Sequence, residues 1–542
     1  MNKIVNVTRS LIFSQQKTIF SSAVLIATTI VIARFFGFLR FRVLASYFPK
    51  EQLDIFFASF RIPDIVFEIL ITGALTSSFI PIFIKYKDNK KELTENISSI
   101  INLVFLGLFL LIIFLFIFLK KIISIITPGY SPQKVELITF LSSILLFGQL
   151  PFLILGNFLT GIGQANKTFF LPSIAPIFYN LAIILTTVFL NNYLGLLAPI
   201  LGVVFGSLTI FLIQFPLLFF DGFFYRFILK INAAVKEFIK MAVPRILTVI
   251  VSQIDATIDL TLTTFLKPGS YTAFYLAQHL QLLPVSIIGV AFGQASLPYL
   301  SDLVKEKKEI ELKQIIEETI LCLLFLSLPF SIFFIFARTP LIRFFFGGEK
   351  FDWEATVTTA KTLSYFAIGL PFHTLYYFLT RCFYAFLDTK TPFLIGLFSI
   401  IVNTFLSIFF IFFLKLSVWA LALSFSFSIF LNIFFLFLFL IKKIKNINYL
   451  NLIIETTKII AASAFASLPS YIFLKIADPW IFNTIYTINV FFLLFSVALI
   501  YFFWYLFFSW VFNVKQLYLF TKLIVRAKEY QKKIIELFNP YD

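Results

Sequence analysis

The chain has 542 residues, of which 60% are hydrophobic and 13% charged, and it carries a formal net charge of +17 at pH 7. A soluble domain is about 45–50% apolar and about 25% charged, so this composition excludes a soluble globular protein. Lysine and arginine lie mainly between apolar runs, which favours a role in membrane orientation over nucleic-acid binding. Two cysteines and two histidines exclude a disulfide framework and a multi-histidine metal site.

The apolar runs predict an all-α integral membrane protein. A spanning helix needs roughly 20 apolar residues, and about 14 segments meet that requirement. The predicted spans are residues 18–47, 53–85, 96–119, 135–165, 169–190, 193–220, 235–266, 270–301, 315–337, 353–386, 392–414, 417–441, 451–475 and 481–511. The first run has no small-residue cleavage site, so we expect it to remain as the first span. The loops richest in Lys and Arg lie on one side together with both termini, which predicts that both termini are cytoplasmic.

An internal repeat divides the predicted spans. The pattern Leu150-Pro-Phe-x-x-Leu-x-x-Phe-Leu-Thr160 recurs as Leu370-Pro-Phe-x-x-Leu-x-x-Phe-Leu-Thr380, and Phe-Ile-Pro81 and Ser-Leu-Pro298 have a similar offset. We therefore predict two pseudo-repeated six-helix lobes around a central cavity, at residues 1–225 and 226–445. Residues 446–542 would add two C-terminal helices and a basic cytoplasmic tail. Related halves facing a site at the bilayer midplane are typical of transporters. A helical scaffold without transport is the alternative interpretation.

Charged residues at membrane depth are costly, so they usually face a cavity or a partner. The first span carries Arg34, Arg40 and Arg42. The planar guanidinium group donates hydrogen bonds in pairs, which suits a phosphate ligand. Extension of the side chains to the membrane interface is the alternative, and it fits Arg42 best and Arg34 least.

The second and seventh spans each carry a polar stripe. Spacings of three, four and seven place the residues of each stripe on one helix face. The members are Asp54, Arg61, Asp64 and Glu68 in the second span, and Thr248, Ser252, Asp255, Asp259 and Thr263 in the seventh. The first stripe predicts either partners for the arginines or a structural ion-pair network. The second offers oxygen ligands for a small cation or a proton relay, with interhelical hydrogen bonding as the alternative.

The sequence offers nothing catalytic. It has no Walker loop, so ATP is not expected to drive the protein directly. No nucleophile and general base can be paired in it. We therefore expect a transporter without an organic cofactor, and not an enzyme.

Several blocks resemble the MurJ (MviN) family of lipid II flippases, in the family's order along most of the chain. The segments that resemble its N-terminal signature are Arg34-Phe-Phe-Gly-Phe-Leu-Arg40, Asp54-Ile-Phe-Phe-Ala-Ser-Phe-Arg-Ile-Pro-Asp64 and Gly73-Ala-Leu-Thr-Ser-Ser-Phe-Ile-Pro-Ile-Phe83. Arg381-Cys-Phe-Tyr-Ala-Phe-Leu-Asp-Thr-Lys-Thr-Pro392 resembles a second block. Leu276-Ala-Gln-His-Leu-Gln-Leu-Leu-Pro284 and Gly293-Gln-Ala-Ser-Leu-Pro298 resemble a third.

The resemblance implies a fold of the MOP (multidrug/oligosaccharidyl-lipid/polysaccharide) exporter superfamily, with a V-shaped cavity between two lobes. Its last two helices would form a groove for a polyprenyl tail. The implied substrate is lipid II, moved by alternating access from the inner to the outer leaflet of the bacterial cytoplasmic membrane for peptidoglycan biosynthesis. Membrane lipids and cell-wall synthesis proteins would be its partners, and nucleic acid would not.

The resemblance also assigns residues. Arg34 and Arg40 match cavity arginines, and Asp54 matches an acidic residue at the start of the second helix. With these, Arg61, Glu68 and His279 are the candidate substrate-binding residues. Asp259, Asp388 and Thr404 match positions of a sodium site found in some members, which makes Na⁺ the candidate coupling ion.

Four positions depart from the family's pattern. Phe41 stands where the family usually has Asp, Phe67 and His279 where it has Arg, and Thr72 where it has Glu. His279 could bind phosphate when protonated, which would make binding pH-sensitive.

Three rival functions follow from the same residues. A flippase for another polyprenyl-diphosphate-linked glycan would keep the groove and the arginines. A drug or cation antiporter of the superfamily would have about 12 helices and no tail groove. A non-transporting envelope scaffold would tolerate loss of the cavity arginines.

Overall fold

The computed structural model describes residues 19–71, 76–444, 448–480 and 486–518. These residues are predominantly helical and contain no strand, which confirms the predicted all-α class. The α-helices are α1 Ile19–Tyr47, α2 Lys50–Ser59, α3 Arg61–Glu68, α4 Thr76–Tyr86, α5 Lys90–Ile126, α6 Pro132–Gly148, α7 Leu150–Ala165, α8 Phe170–Leu194, α9 Leu197–Gln214, α10 Ala233–Thr263, α11 Ser270–Pro284, α12 Ala291–Lys305, α13 Glu309–Phe336, α14 Arg338–Phe346, α15 Trp353–Ala385, α16 Lys390–Ile408, α17 Trp419–Lys443, α18 Tyr449–Trp480 and α19 Thr487–Val511. A 3₁₀ segment, Phe215–Gly222, follows α9, and π-helical segments, Val285–Val290 and Phe409–Phe413, follow α11 and α16.

The helices agree with the predicted membrane spans. Ten helical segments of the described chain are long and apolar enough to cross a membrane, and they coincide with ten of the predicted spans. The other four predicted spans also fall on helices, namely α1, α2 to α4, α10 and α15. Ten of the predicted spans are therefore confirmed by length and composition, and the other four are helical in the described residues.

The second predicted span, residues 53–85, is broken between α2 and α3. Pro63 has no N–H, so the carbonyl oxygen of Ser59 loses its donor within the helix. The hydroxyl of Ser142, in α6, donates to that oxygen at 2.8 Å. Both serines are buried. The break thus gives α2 a fixed point of attachment to α6.

The chain divides into two compact units. Unit 1 is Met1–Thr272 with Phe345–Ala355, and unit 2 is Ala273–Phe344 with Thr356–Asp542. Within unit 1, α1 packs on α8, α8 on α9, and α10 on α3, α4 and α5. By these contacts α10 lies in unit 1, whereas the predicted lobe boundaries at residues 225 and 445 stay a prediction.

The two C-terminal helices, α18 and α19, pack on each other and on α13 inside unit 2. The buried Tyr505 hydroxyl donates to the carbonyl oxygen of Phe325, in α13, at 2.7 Å. The buried Tyr501 hydroxyl donates to the carbonyl oxygen of Ser463, in α18, at 3.3 Å. These two tyrosines hold α19 against its neighbours.

The predicted repeat is visible in the backbone at the ends of α7 and α15. The N–H of Thr168 donates to the carbonyl oxygen of Gly163 at 2.8 Å, and that of Asp388 donates to Phe383 at 3.0 Å. The residue before each donor has a left-handed backbone: Lys167 (φ 57°) and Leu387 (φ 58°). This conformation is costly for a residue other than glycine. The two residues are 220 positions apart, the same offset as Leu150 and Leu370 in the repeated pattern, which supports duplication of one helical hairpin.

Candidate functional site

Arg61 joins two helices in the interior of unit 1. It lies at the first position of α3, and its side chain is buried. Its guanidinium group donates to the side-chain oxygen of Gln253 at 2.9 Å, to the carbonyl oxygen of Gln253 at 2.5 Å and to the Thr257 hydroxyl at 3.0 Å. Gln253 and Thr257 are one turn apart on α10, so the planar fork of arginine fits both. Gln253 and Thr257 were not among the residues predicted from the sequence, although their four-residue spacing indicates a shared helix face.

The charge of Arg61 acts on carboxylates of both helices. The charges that act on Asp64 are those of Arg61, Glu68 and Arg40, and the charges that act on the buried Asp259 are those of Asp255 and Arg61. The predicted stripes on the second and seventh spans therefore meet in unit 1, with Arg61 between them. Opposite charges at membrane depth offset part of the cost of burying each other.

Arg34 and Arg40, both on α1, differ from Arg61 in that their guanidinium groups donate no hydrogen bond to another described residue. Arg34 is exposed and Arg40 is half-buried. The guanidinium carbon of Arg40 lies 4.6 Å from the centre of the Phe41 ring, a cation–π contact. Within the described chain, neither arginine forms an ion pair with a carboxylate. Phe41 therefore supports Arg40 through its ring, at the position where the resemblance led us to expect a carboxylate.

Asp54 uses its carboxylate to cap a helix. Its side chain is buried, and its oxygens accept hydrogen bonds from the Gly269 N–H at 2.6 Å, the Thr272 N–H at 2.7 Å and the Thr272 hydroxyl at 2.8 Å. Gly269 and Thr272 lie at the N-terminus of α11, where the first amides lack partners within the helix. The left-handed backbone of Gly269 (φ 88°) suits glycine and presents its N–H to Asp54.

The remaining candidates in unit 1 and the departures near them are less informative. Glu68 is half-buried at the end of α3, and Phe67 is half-buried beside it. Thr72, the start of the block Gly73–Phe83, and the side chains of Thr248 and Ser252 lie outside the described residues.

His279 lies in unit 2, on α11. Its Nδ1 is 2.9 Å from the carbonyl oxygen of Tyr275, so Nδ1 carries the proton and donates it. The His279 and Tyr275 rings lie 4.1 Å apart, with an interplanar angle of 33°. The tyrosine thus fixes the orientation of the imidazole.

The three candidate sodium ligands are divided between the units. Asp259 is in unit 1, and Asp388 and Thr404 are in unit 2. The Asp388 carboxylate lies 2.6 Å from the Lys443 ammonium and accepts from the Thr391 hydroxyl at 2.7 Å and from the Thr391 N–H at 3.0 Å. Thr404 is half-buried on α16.

Asp388 is strongly acidic. It lies in the connection between α15 and α16, outside the spanning segments. Burial raises the pKa of its carboxyl, but Lys443 and the two donors of Thr391 outweigh burial and lower the pKa to about 2. The group is therefore a carboxylate at neutral pH. A sodium ion at this position would compete with the Lys443 ammonium.

Comparison with known proteins gives consistent results. A model of the family described as "Lipid II flippase MurJ" matches residues 44–492. A probable lipid II flippase MurJ of Rickettsia prowazekii is 31% identical over 405 residues, which cover 71% of this chain and 77% of the relative. A probable lipid II flippase MurJ of Buchnera aphidicola subsp. Acyrthosiphon pisum is 29% identical, with 71% and 77% covered.

Solved structures agree with these relatives. A structure described as "Lipid II flippase MurJ, inward closed conformation" matches with a TM-score of 0.74 and 26% identity, covering 90% of this chain and 98% of that one. An inward-facing multidrug resistance MATE family transporter of the MOP superfamily matches with a TM-score of 0.62 and 12% identity, covering 78% of this chain and 98% of that one. At that identity the second match shows the fold alone.

Proposed function

Because the chain belongs to the MurJ family of lipid II flippases, we propose that it moves lipid II from the inner to the outer leaflet of the bacterial cytoplasmic membrane for peptidoglycan biosynthesis. It acts as a transporter, and both termini face the cytoplasm. The inward-closed conformation of the matched family structure supports alternating access as the mechanism.

The observation that carries this proposal concerns the two arginines on α1. Arg61 and Asp54 are held by partners inside unit 1, whereas Arg34 and Arg40 form no ion pair with a described carboxylate. A cation at membrane depth that is in no close ion pair is costly, so a bound anion is the favoured partner. The diphosphate of lipid II supplies such an anion, and guanidinium groups bind phosphate oxygens in pairs. We assign Arg34 and Arg40 to the diphosphate, and the other candidate substrate-binding residues stay predictions.

Complementation of a conditional lipid II flippase depletion strain tests the proposal. Wild type is expected to restore growth, and Arg34→Ala and Arg40→Ala are expected to fail at equal expression. Lys121→Ala, which removes an exposed cation at the end of α5, serves as the matched control and should restore growth. If the well-expressed, membrane-inserted wild type fails, another polyprenyl-diphosphate-linked glycan becomes the favoured substrate. Rescue by both arginine variants would instead remove these residues from the mechanism.

A non-transporting scaffold predicts a different pattern. Such a protein would support growth by its presence alone, so no variant of the α1 arginines would change the amount of lipid II in the outer leaflet. Measuring surface-exposed lipid II in the same strains therefore separates the two functions.

We also propose that sodium, with Asp259 of unit 1 as a ligand, returns the protein to its inward-facing state; Asp388 and Thr404, in unit 2, stay predicted sodium ligands. The acidic and hydroxyl oxygens of these residues are suitable ligands for a hard cation. Asp259→Asn should abolish the dependence of transport on a sodium gradient in vesicles with a controlled membrane potential. Unchanged sodium dependence in that variant would refute the coupling role while leaving the flippase proposal intact.

A further inference from the structure

Unit 1 contains an apolar cavity of about 570 Å³ that the proposed transport mechanism does not use. Its walls come from α5, α7, the end of α9 with the following 3₁₀ segment, and residues 223–232, which have no regular secondary structure. The lining is almost entirely aliphatic and aromatic, and includes Phe105, Leu106, Leu155, Phe211 and Leu218. Asn102 and Tyr225 are its polar members. The volume lies within the range of about 300–1,000 Å³ for small-molecule sites.

The wall of the cavity formed by residues 223–232 is held in place by α5. The side-chain amide of Asn102 donates to the carbonyl oxygens of Arg226 at 3.1 Å and Ile228 at 3.0 Å, and its oxygen accepts from the Tyr225 hydroxyl at 2.6 Å. The Arg226 N–H donates to the Ser98 hydroxyl at 3.0 Å. Asn102 and Ser98 are both buried. Side chains of α5 thus form hydrogen bonds with backbone groups of residues 226 and 228, which belong to no helix or strand. These bonds fix the wall of the cavity.

The same segment exposes apolar side chains and cations together. Phe227 is 77% exposed and Ile231 is 68% exposed, and Arg226 and Lys230 lie close to them in sequence. This mixture is typical of a chain lying at the membrane interface. Lys230 pairs with Glu95 at 3.2 Å, whereas the Arg226 guanidinium forms no ion pair with a carboxylate of the described residues. Arg226 therefore belongs to the wall of the cavity through its backbone, between the lining residues Tyr225 and Phe227, and it carries a cation that no described carboxylate pairs with.

We propose that this cavity binds one acyl chain of an anionic membrane phospholipid, with the lipid phosphate at Arg226. The apolar walls suit the hydrocarbon chain, and the guanidinium group suits the phosphodiester. The predicted topology puts residues 223–232 at the cytoplasmic end of the spans, where the leaflet is rich in anionic lipids. This site differs from the arginine pair on α1, and it stands whether or not the chain transports lipid II.

Native mass spectrometry of the purified full-length protein, titrated with phosphatidylglycerol or phosphatidylcholine, tests the proposal. Wild type should retain one phosphatidylglycerol more firmly than phosphatidylcholine. Arg226→Gln should reduce that preference by about fivefold, because a basic residue near an anionic surface contributes about 1 kcal/mol. Lys121→Gln removes an exposed cation far from the cavity in sequence and should leave the preference unchanged.

Filling the cavity gives a second measurement. Leu106, on α5, lines the cavity and is 44% exposed, so Leu106→Trp adds volume without disturbing a buried core. This variant should lose the firmly bound lipid, and Ile117→Trp, at an exposed position of the same helix outside the cavity lining, should keep it. Circular dichroism and a second filling variant, Leu155→Trp, guard against misfolding. Equal retention by all variants would mean nonspecific annular lipid and would overturn the proposal. Displacement of phosphatidylglycerol by a lower concentration of polyprenyl phosphate would also overturn it, in favour of the substrate's tail.

Discussion

Thr272 gives Asp54 two hydrogen bonds, one from its backbone N–H at 2.7 Å and one from its hydroxyl at 2.8 Å. The two residues are 218 positions apart in the chain, yet both are buried and belong to unit 1. The carboxylate therefore stabilises the first turn of α11 in two ways. It accepts hydrogen bonds from amides that have no partner within the helix, and its negative charge lies at the positive end of the helix dipole.

Removing this cap should destabilise the protein. Asp54→Ala is expected to lower the free energy of unfolding by about 1–2 kcal/mol, the usual cost of losing an N-cap. Thermal unfolding of the purified protein in detergent measures the effect. Glu51→Ala, in the first turn of α2, the helix that contains Asp54, is the matched control and should change the melting temperature little. An Asp54→Ala protein that melts like wild type but fails in complementation would point to a role in binding substrate instead.

The helices could be predicted from the sequence, but the side-chain contacts between them could not. Apolar runs reveal the spans because length and hydropathy are local properties, and the repeat at Leu150 and Leu370 revealed the duplication. The sequence could not pair Asp54 with Thr272 or Arg61 with Gln253, because these partners are distant in sequence and meet only through helix packing. The four-residue spacing of Gln253 and Thr257 indicates only that these two share a helix face. The break near Pro63 is a different case, because a proline within a long helical run already indicates an interrupted helix.

Arg61 and Thr257 should be energetically coupled. Arg61→Lys removes the Nε donor that bonds to the Thr257 hydroxyl, and Thr257→Val removes the acceptor while keeping the shape of the side chain. A double-mutant cycle on the free energy of unfolding is expected to give a coupling of about 1 kcal/mol, as for other residues in direct hydrogen-bonded contact. Additive effects of the two changes would show that the contact contributes nothing to stability.

The Asp388–Lys443 pair should make stability depend on pH in acid. The pKa of Asp388 is lowered to about 2 by Lys443 and Thr391 against the opposing effect of burial, whereas an unfolded aspartate titrates near about 4. Its stabilising effect is therefore complete above pH about 4 and is lost as the pH falls toward about 2. The difference in melting temperature between wild type and Asp388→Asn should be largest near neutral pH and should shrink over that acid range.

A sodium test separates this ion pair from the proposed cation site. If Asp388 binds no sodium and keeps only its contacts with Lys443 and Thr391, sodium chloride and potassium chloride at equal concentration should shift the melting temperature of wild type equally. A sodium-specific increase that Asp388→Asn abolishes would instead support sodium binding at this carboxylate.

Restoring the aspartate expected at position 41 should harm this protein. Phe41 is buried, and its ring lies 6.0 Å from Phe57 and 6.2 Å from Phe346 between ring centres. Phe41→Asp would lose this packing, at a cost of about 3–5 kcal/mol for truncating a buried phenylalanine, and would place a charge in an aromatic cluster. Phe41→Leu keeps most of the burial and should retain most of the melting temperature. An aspartate variant as stable as wild type would mean that the new carboxylate pairs with Arg40 instead of entering the cluster.

The serine pair at the break in the second span gives the cleanest stability test. The carbonyl oxygen of Ser59 cannot accept from Pro63, so the Ser142 hydroxyl is its donor, and both residues are buried. Ser142→Ala would leave that buried acceptor unsatisfied, which costs about 1–3 kcal/mol in the free energy of unfolding. Ser143→Ala is a matched control, because the Ser143 hydroxyl bonds to Phe140 within its own helix. Pro63→Ala supplies the missing N–H, so it should reduce the cost of Ser142→Ala if the proline is the reason for the serine. Equal costs of Ser142→Ala with and without Pro63 would show that the proline does not create the need for this contact.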